Sequence, residues 1–439
     1  MKTKAIFIFA CTVLTIVVMI PSLISVEGST ATPNLSSQET IVRARDFNGT
    51  TFLVQTDGLG EYQAINKTDG SIIFSSANAS YMINSLINDD SRIILGAGIF
   101  ALTKTIIKQA NNVFIEGQGT NTVLLISNSD ISAFTVSGVI GWSISNLQID
   151  DALGNRTSGI YVTKSQNILI ENCEISNTYY SGITTLYSSN ITIDNNSINA
   201  ARYGFGIAVW NTTKSSITNN KVDLTYWSGI TISDGSNYNI IGKNFVSRSG
   251  QMGTLGDGIE IGATLPSGGT VGNFVFNNTC HDNVVDGISV AQSKGTVVSG
   301  NFVFNNGAAG IGVESNSGET QIVGNSVFNN SAIFREGAGI AVTDLLTRGT
   351  IISSNSVFRN WENGIFLFKN STNTVVVSNV VYDNGQKSAG NYDGVCIASS
   401  NNTINGNRCF DDQAVRTQRF GVNEESGYLN NVLNGNIFL

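Results

Sequence analysis

The chain has 439 residues, of which 46 are glycine and 3 proline, with 13% charged and 41% hydrophobic side chains. The charge fraction is about half the usual quarter and the apolar content is enough for a core, which excludes a wholly disordered chain. Lys and Arg number 24 against 32 Asp and Glu, a net charge of −8; with no basic run to neutralise phosphates, nucleic acid is excluded as a partner.

Lys2 and Lys4 precede an apolar run from Ala5 to about Val26, and small polar residues (Gly28, Ser29, Thr30) come after it. This is the pattern of a secretory signal over residues 1–28. The run is also long enough to remain as a membrane anchor if uncleaved, the one membrane contact expected. Either way the body is expected to be secreted or at the cell surface. There the twelve Asn-x-Ser/Thr sequons of the chain are places where glycans can attach. Cys11 leaves with the signal, and the remaining Cys173, Cys280, Cys396 and Cys409 are an even number suited to bridges, with Cys396–Cys409 the expected pair.

Residues 29–150 read as an entry and capping module that includes the first β-helix turns. A hairpin is expected near residues 51–75. Met82, Leu86 and Ile87 have helical spacing, which predicts a short helix over 80–88 capped by Asn78 or Ser80. Such a helix suits the open end of a solenoid. Strands are expected at 92–95, 105–108, 112–116 and 122–126.

Residues 151–439 repeat. Gly-aliphatic-x-aliphatic recurs at Gly159, Gly206, Gly229, Gly258, Gly287 and Gly339, with weaker copies at Gly182, Gly310, Gly364, Gly394 and Gly421. Between copies an aliphatic strand ends in Asn, at 172, 195, 219, 244, 273, 301, 325, 355, 379, 407 and 436, at intervals of 23 to 30 residues. Each unit holds three short runs of alternating aliphatics separated by Gly/Asn/Ser turns, which is strand periodicity. One unit cannot close a core, so the units stack as rungs with parallel pairing. The prediction is an all-β, single-stranded right-handed parallel β-helix with a short N-terminal helix and hairpin. A leucine-rich repeat is excluded because its Leu-x-x-Leu-x-Leu frame is missing. The asparagines are expected to form a buried ladder at one bend. The last rung, ending at Leu439, shows no polar cap; it is expected to dock on another copy, giving a homo-oligomer, or to be covered by fold-back of residues 410–430.

With these repeats and the entry segments R-I-I-L-G-A-G-I-F and N-V-F-I-E-G-Q-G-T-N-T-V-L, the chain resembles the pectate-lyase-like superfamily of secreted right-handed β-helix proteins. Rungs such as F-N-N-T-C-H-D-N-V-V-D-G-I-S-V are similar to those of mannuronan C5-epimerases and other alginate-modifying enzymes. The resemblance implies a polysaccharide partner. The chain lacks both the Asp-Pro-His-Asp signature of the epimerases and the Gly-His-Gly pattern of polygalacturonases, so no catalytic residue carries over.

Insertions collect at the edge just before each rung-starting glycine, at 247–255, 331–338 and 385–392, as a binding wall would require. Aromatics gather there, among them Tyr180, Tyr203, Trp227 and Trp361, either to stack on sugar rings or to seal the turn. Arg202, Arg248, Arg335 and His281 fall near the same edge. Lyase or epimerase chemistry on a polyuronate needs the substrate carboxylate neutralised by such cations. It also needs a base, for which His281 or an Arg-activated Tyr203 is suited. Tyr180, Arg202, Trp227, Arg335 and Trp361 are the expected substrate contacts, and His281, Tyr203, Arg248, Glu260 and Asp257 the expected catalytic set. Asp257, Glu260 and Asp286 also offer the two carboxyls of glycoside hydrolysis, although Asp before Gly suits a tight turn by itself. No cofactor is required and no metal site is assigned, with Ca²⁺ conceivable only at Asp89-Asp90, Asp150-Asp151 or Asp411-Asp412. The resemblance, the one-sided insertions and the aromatic and Arg edge imply modification of an extended acidic polysaccharide by lyase or epimerase chemistry, whereas the missing catalytic signatures and the many sequons favour the alternative, a non-enzymatic glycan-binding adhesin or envelope scaffold.

Overall fold

The computed structural model describes residues 49–438 except 152–156, 252–255, 263–268, 334–336 and 344–345. The expected signal, Phe334 and Arg335 lie outside the described residues. Each turn of the winding adds one strand to each of three stacks. Face 1 is a sheet of 12 strands, from Phe134–Ser137 and Ile160–Thr163 to Val422–Glu424. Face 2 starts in earnest at Gln166–Glu171 and face 3 at Glu174–Ser176. Pairing between rungs is parallel and keeps like beside like: Ile160, Ile183, Ile207, Ile230, Ile259 and Ile288 follow one another in register. On face 3 each three-residue strand buries its middle side chain in the core, as in Val222, Val246, Cys280, Val303 and Val327. That is the period of two expected of a strand with one wet face.

The asparagine ladder exists, but one residue away from the sequence-based register in the early rungs. At the bend between faces 2 and 3 it runs Asn196, Asn220, Asn244, Asn278, Asn301, Asn325, Asn355, Asn379, Asn407 and Asn436. Each Oδ1 accepts the backbone N–H and the side-chain Nδ2 of the Asn one rung earlier, as between Asn325 and Asn301 at 2.8 and 3.0 Å. Each Nδ2 also donates to a core-facing carbonyl, that of Val298 from Asn325. Asn172, Asn195 and Asn219 hold the preceding position, where φ is 54, 52 and 55°. Gly300, Gly324 and Gly406 fill that position later, because the bend needs a left-handed residue and Asn and Gly adopt it at least cost. Asn273 belongs to the bend between faces 1 and 2, where its Oδ1 accepts from Asn239. A third ladder, Asn283–Asn306–Asn330–Asn360–Asn384, lines the bend leading to face 1.

At the N-terminal end β1 (Thr50–Thr56), β2 (Tyr62–Asn66) and β3 (Ile72–Ser76) form an antiparallel meander. β1 also pairs in parallel with Ser91–Leu95 and so joins the winding. Helix α1 (Ala79–Leu86) comes next, with the Asn78 side chain accepting from Tyr81 N and with Met82, Ile83 and Leu86 buried. Residues 105–108 do not form the expected strand: Ile106 makes a single bridge to Phe134, while Gly98–Leu102 supplies a strand that the sequence pattern did not suggest. At the other end there is no fold-back. Val422–Glu424 adds a further strand to face 1, and the inward positions Leu433 and Phe438 stay 42% and 57% exposed. Their equivalents one rung earlier, Ile404 and Cys409, are buried.

The expected Cys396–Cys409 bridge is absent, and all four cysteines between Cys173 and Cys409 are buried free thiols. Cys396 sits outward on face 1 among Ala341, Phe366 and Ala398, whereas Cys409 points into the core from face 3. Side chains on different faces that leave in different directions cannot reach disulfide geometry.

Candidate functional site: an acid row on face 1

Outward positions of face 1 form columns that run along the winding. One column passes from Ser228 through Asp257 and Asp286 to Ala309; the next passes from Thr231 through Glu260 and Ser289 to Gly312, in register. Isoleucines and valines on the inward positions lock these strands, so the carboxyls sit on a rigid floor. Asp257 Oδ1 accepts the backbone N–H of Asp286 at 2.9 Å, and Asp286 Oδ1 accepts that of Ala309 at 2.8 Å. The Ser228 hydroxyl donates to Glu260 Oε2 at 3.1 Å and accepts from Asp257 N at 3.3 Å. Ser289 donates to Glu314 Oε1 at 3.3 Å. Gly312 leaves room for this arrangement, since a Cβ there would lie 2.3 Å from Asp286 Oδ2.

Burial pushes Asp257 well above the usual carboxylate range, and the charges of Asp286, Glu260 and Glu314 add to the push. Asp286 is raised in the same way, by burial and then by Glu314, against the pull of Ala309 N–H. Glu260 is also raised by burial, but the Ser228 and Thr231 hydroxyls oppose the shift. No ion pair among the described residues reaches Asp257, Glu260 or Asp286. Asp393, further along the Asp257 column, differs: Arg419 grips both its oxygens, at 2.9 and 2.7 Å. Burial thus disfavours the charged form of all three carboxyls, and only at Glu260 do two side-chain hydroxyls oppose it.

The other residues singled out in the sequence do not converge there. Tyr203 stacks between Tyr179 and Tyr226 at the turn, with centroids 4.6 and 5.2 Å away, and stays half exposed. Tyr180, Trp227 and Trp361 remain about two-fifths exposed on the same turns, and Arg202 lies beside Tyr203 with its backbone N–H on Thr178. His281 and Arg248 lie around the corner, on face 3. His281 is the first ring of an external stack, lying 4.8 Å from Phe304 and nearly parallel to it, with Nδ1 2.6 Å from Asp282. Arg248 is bound in fork geometry to Asp223 through Nε, at 2.8 Å, and Nη2. Neither faces Glu260, which corrects the expectation of one shared edge. The physical reason is the bend itself: His281 ends, and Arg248 directly follows, strands of face 3, whereas Glu260 lies in the middle of a strand of face 1.

Of the acid pairs, Asp411 spends its oxygens on the backbone N–H groups of Gln413, Thr417 and Gln418. Asp89 accepts from Asn111 N, and Asp150 from Asn177. Among the described residues no three His, Cys, Asp or Glu side chains gather as a metal ion would require. The sequence reading missed Ser228, Gly312 and Glu314; their signal was the strand register, which places each one rung from a named acid.

The family described as "right handed beta helix region" matches residues 131–271 and 267–345. The chain is a right-handed parallel β-helix protein. Among solved structures, this β-helix is similar to the mannuronan C-5 epimerase AlgE6 A-module of Azotobacter vinelandii, at 15% identity and a TM-score of 0.58, over 82% of this chain and 92% of that one. The AlgE4 A-module of the same organism gives 14% and 0.58, over 70% and 91%. PfbA, a surface adhesin of Streptococcus pneumoniae, gives 13% and 0.51, over 70% and 84%. At these identities the likeness is one of fold. A comparison with curated protein sequences finds no match. Among the described residues no helix is long and apolar enough to cross a membrane.

Proposed function

We propose that this protein, exported if the N-terminal signal acts as such, binds an extended polysaccharide along face 1 and cleaves its glycosidic bonds by acid/base catalysis. The observation that carries the reading is the row of Asp257, Glu260 and Asp286, adjacent on neighbouring rungs, with Ser228 bonded to Glu260 and no ion pair among the described residues reaching any of the three. Strands of neighbouring rungs lie about 4.8 Å apart, which brings two carboxyls to the separation used by glycosidases. In this scheme the Asp257–Asp286 pair shares a proton and delivers it to the leaving oxygen. Glu260, supported by Ser228, is the carboxylate that assists water or attacks the sugar. Lyase or epimerase action has less support: Arg248 is committed to Asp223 and His281 to its stack.

Release of reducing ends from a panel of polysaccharides tests the proposal. Asp257→Asn and Glu260→Gln should each lower turnover by about 100-fold or more, the usual worth of a general acid or base, while leaving binding in place. A wild-type protein that binds glycan and never cleaves it would favour the second reading, an adhesin or scaffold, for which the exposed Tyr180, Trp227 and Trp361 supply stacking surfaces without any chemistry.

A further inference from the structure

Trp227 stands outside the acid row but on the bend that leads into it, directly before Ser228, whose hydroxyl holds Glu260. Its setting differs from that of the tyrosines on the same bend. Tyr179, Tyr203 and Tyr226 come from three successive rungs and lie face towards face, with interplanar angles of 29 and 40°. Rings piled in this way have their planes across the winding, so each covers part of the next. Trp227 breaks the pattern, for its indole lies 5.4 Å from the Tyr226 ring and at 85° to it. Its plane therefore runs along the winding, and the residue is 42% exposed. A ring that only sealed the bend would continue the pile.

The indole is held without being covered. Trp227 N donates to Gly204 O on the rung before at 3.0 Å, and the buried Thr225 hydroxyl donates to Trp227 O at 2.7 Å. On the rung after, Gly256 lies against the Trp227 carbonyl, where a Cβ would come within 2.7 Å of the oxygen. Both neighbouring rungs thus place glycine beside Trp227. A flat apolar ring fixed in advance binds with little loss of freedom.

A pyranose ring carries C–H bonds on its faces and hydroxyls around its rim. It can lay one face on an indole while the rim hydroxyls stay in water. In a chain joined through equatorial bonds the mean plane of each ring contains the chain direction; axial bonds turn the rings out of it. The acid row runs along the winding, so a chain lying over it runs the same way as the plane of Trp227.

We propose that Trp227 is a stacking platform for the sugar unit next to the bond that the acid row cleaves, and that the substrate is an equatorially linked pyranose polymer gripped there by its C–H face. This rests on the glycan-cleaving reading above and names its substrate class.

The test uses the full chain and six hexasaccharides. Cellohexaose, xylohexaose, mannohexaose and hexamannuronate are joined through equatorial bonds; maltohexaose and hexagalacturonate are not. Calorimetry and tryptophan emission follow binding, and release of reducing ends follows cleavage. An equatorial probe should bind tightest, by about fivefold or more over both others, the worth of one aromatic stacking contact. Trp227→Ala should weaken that binding by about tenfold, as lost stacking and lost burial add. The factor should be the same at low and high salt, because the contact carries no charge. Trp227→Phe should recover most of the affinity. The change in tryptophan emission on binding should vanish in Trp227→Phe and persist in Trp361→Phe. For a cleaved probe, Trp227→Ala should raise KM and leave kcat nearly unchanged, since the platform grips substrate and transition state alike. An axially linked probe that binds tightest, or a Trp227→Ala protein that binds like wild type, would overturn the inference and leave the cleaving reading in place. Binding that needs Trp227 without cleavage of any probe would overturn the cleaving reading and the placement beside a broken bond. No binding by any probe would overturn the platform and the groove together.

Discussion

Two rows of side chains run along the same winding and obey opposite rules. On face 3 the third strand position reads His281, Phe304, Phe328, Phe358, Tyr382 and Phe410, six rings whose neighbours lie 4.8 to 5.1 Å apart and within 9° of parallel. On face 1 the comparable row places Asp257 against Asp286, with Glu260 and Glu314 beside them. A parallel solenoid sets like against like, because each rung repeats the register of the last. Stacked rings gain from this, as do the asparagines, each of which is both donor and acceptor. Carboxylates lose by it. The aromatic row is therefore explained by stability alone, whereas the acid row opposes stability and points to function.

This contrast can be broken at either row. The largest effect is expected at Phe328→Ala, which removes a ring lying 5.1 Å from Phe304 and 4.9 Å from Phe358. Lost burial and two lost ring pairs should cost about 2–3 kcal/mol, read as a lower urea midpoint. A change under about 0.5 kcal/mol, the range of ordinary surface substitutions, would mean that the stack is decoration.

The acid row should act in the opposite sense and through pH. Folding raises Asp257 and Asp286 above their unfolded values, so the native state binds protons that the unfolded state has already released. Stability then falls as pH rises from the ordinary carboxylate range, about 4, toward the raised native values. Asp257→Asn with Asp286→Asn should flatten that fall and raise the melting temperature at neutral pH by a few degrees relative to wild type. Melting curves between mildly acidic and neutral pH would show it; equal slopes for both proteins would remove the argument that the acids are held against their preference.

The smallest effect is expected at His281→Phe. It extends the phenyl column by one ring and loses only the exposed contact with Asp282, so the net change should lie within about 0.5 kcal/mol, as for other surface positions. Turnover should not move. A large loss of turnover, measured with whichever glycan is cleaved, would return His281 to the site and count against the separation of the two faces.

Much of this was readable from the residues. Strand periodicity, the rung-starting glycines and the recurring Asn are local signals, and they carried the winding from about residue 159 onward. The ladder register was misread at Asn195 and Asn219 because paired asparagines satisfy two roles at one bend, a left-handed backbone and a buried amide, and the letters do not say which takes which; after Asn172 the buried position is held by Cys173, whose N–H donates to Asn196. For the site, Asp257, Glu260 and Asp286 were visible as neighbours in rung space. His281 and Arg248 were assigned to the same edge because sequence distance to the glycine does not show where the corner falls.

What the chain's own letters determined was the coil: an apolar residue at every second position, repeated every two dozen or so residues, can be buried only by stacking rung on rung. What tertiary structure alone decided was which outward side chains share a face, which cations are already taken by Asp223, Asp393 and Glu362, and which polar groups are left without partners. The first follows from the hydrophobic period of a strand, which is local. The second depends on how turns of unequal length rotate each strand end about the axis, and only the folded winding fixes that.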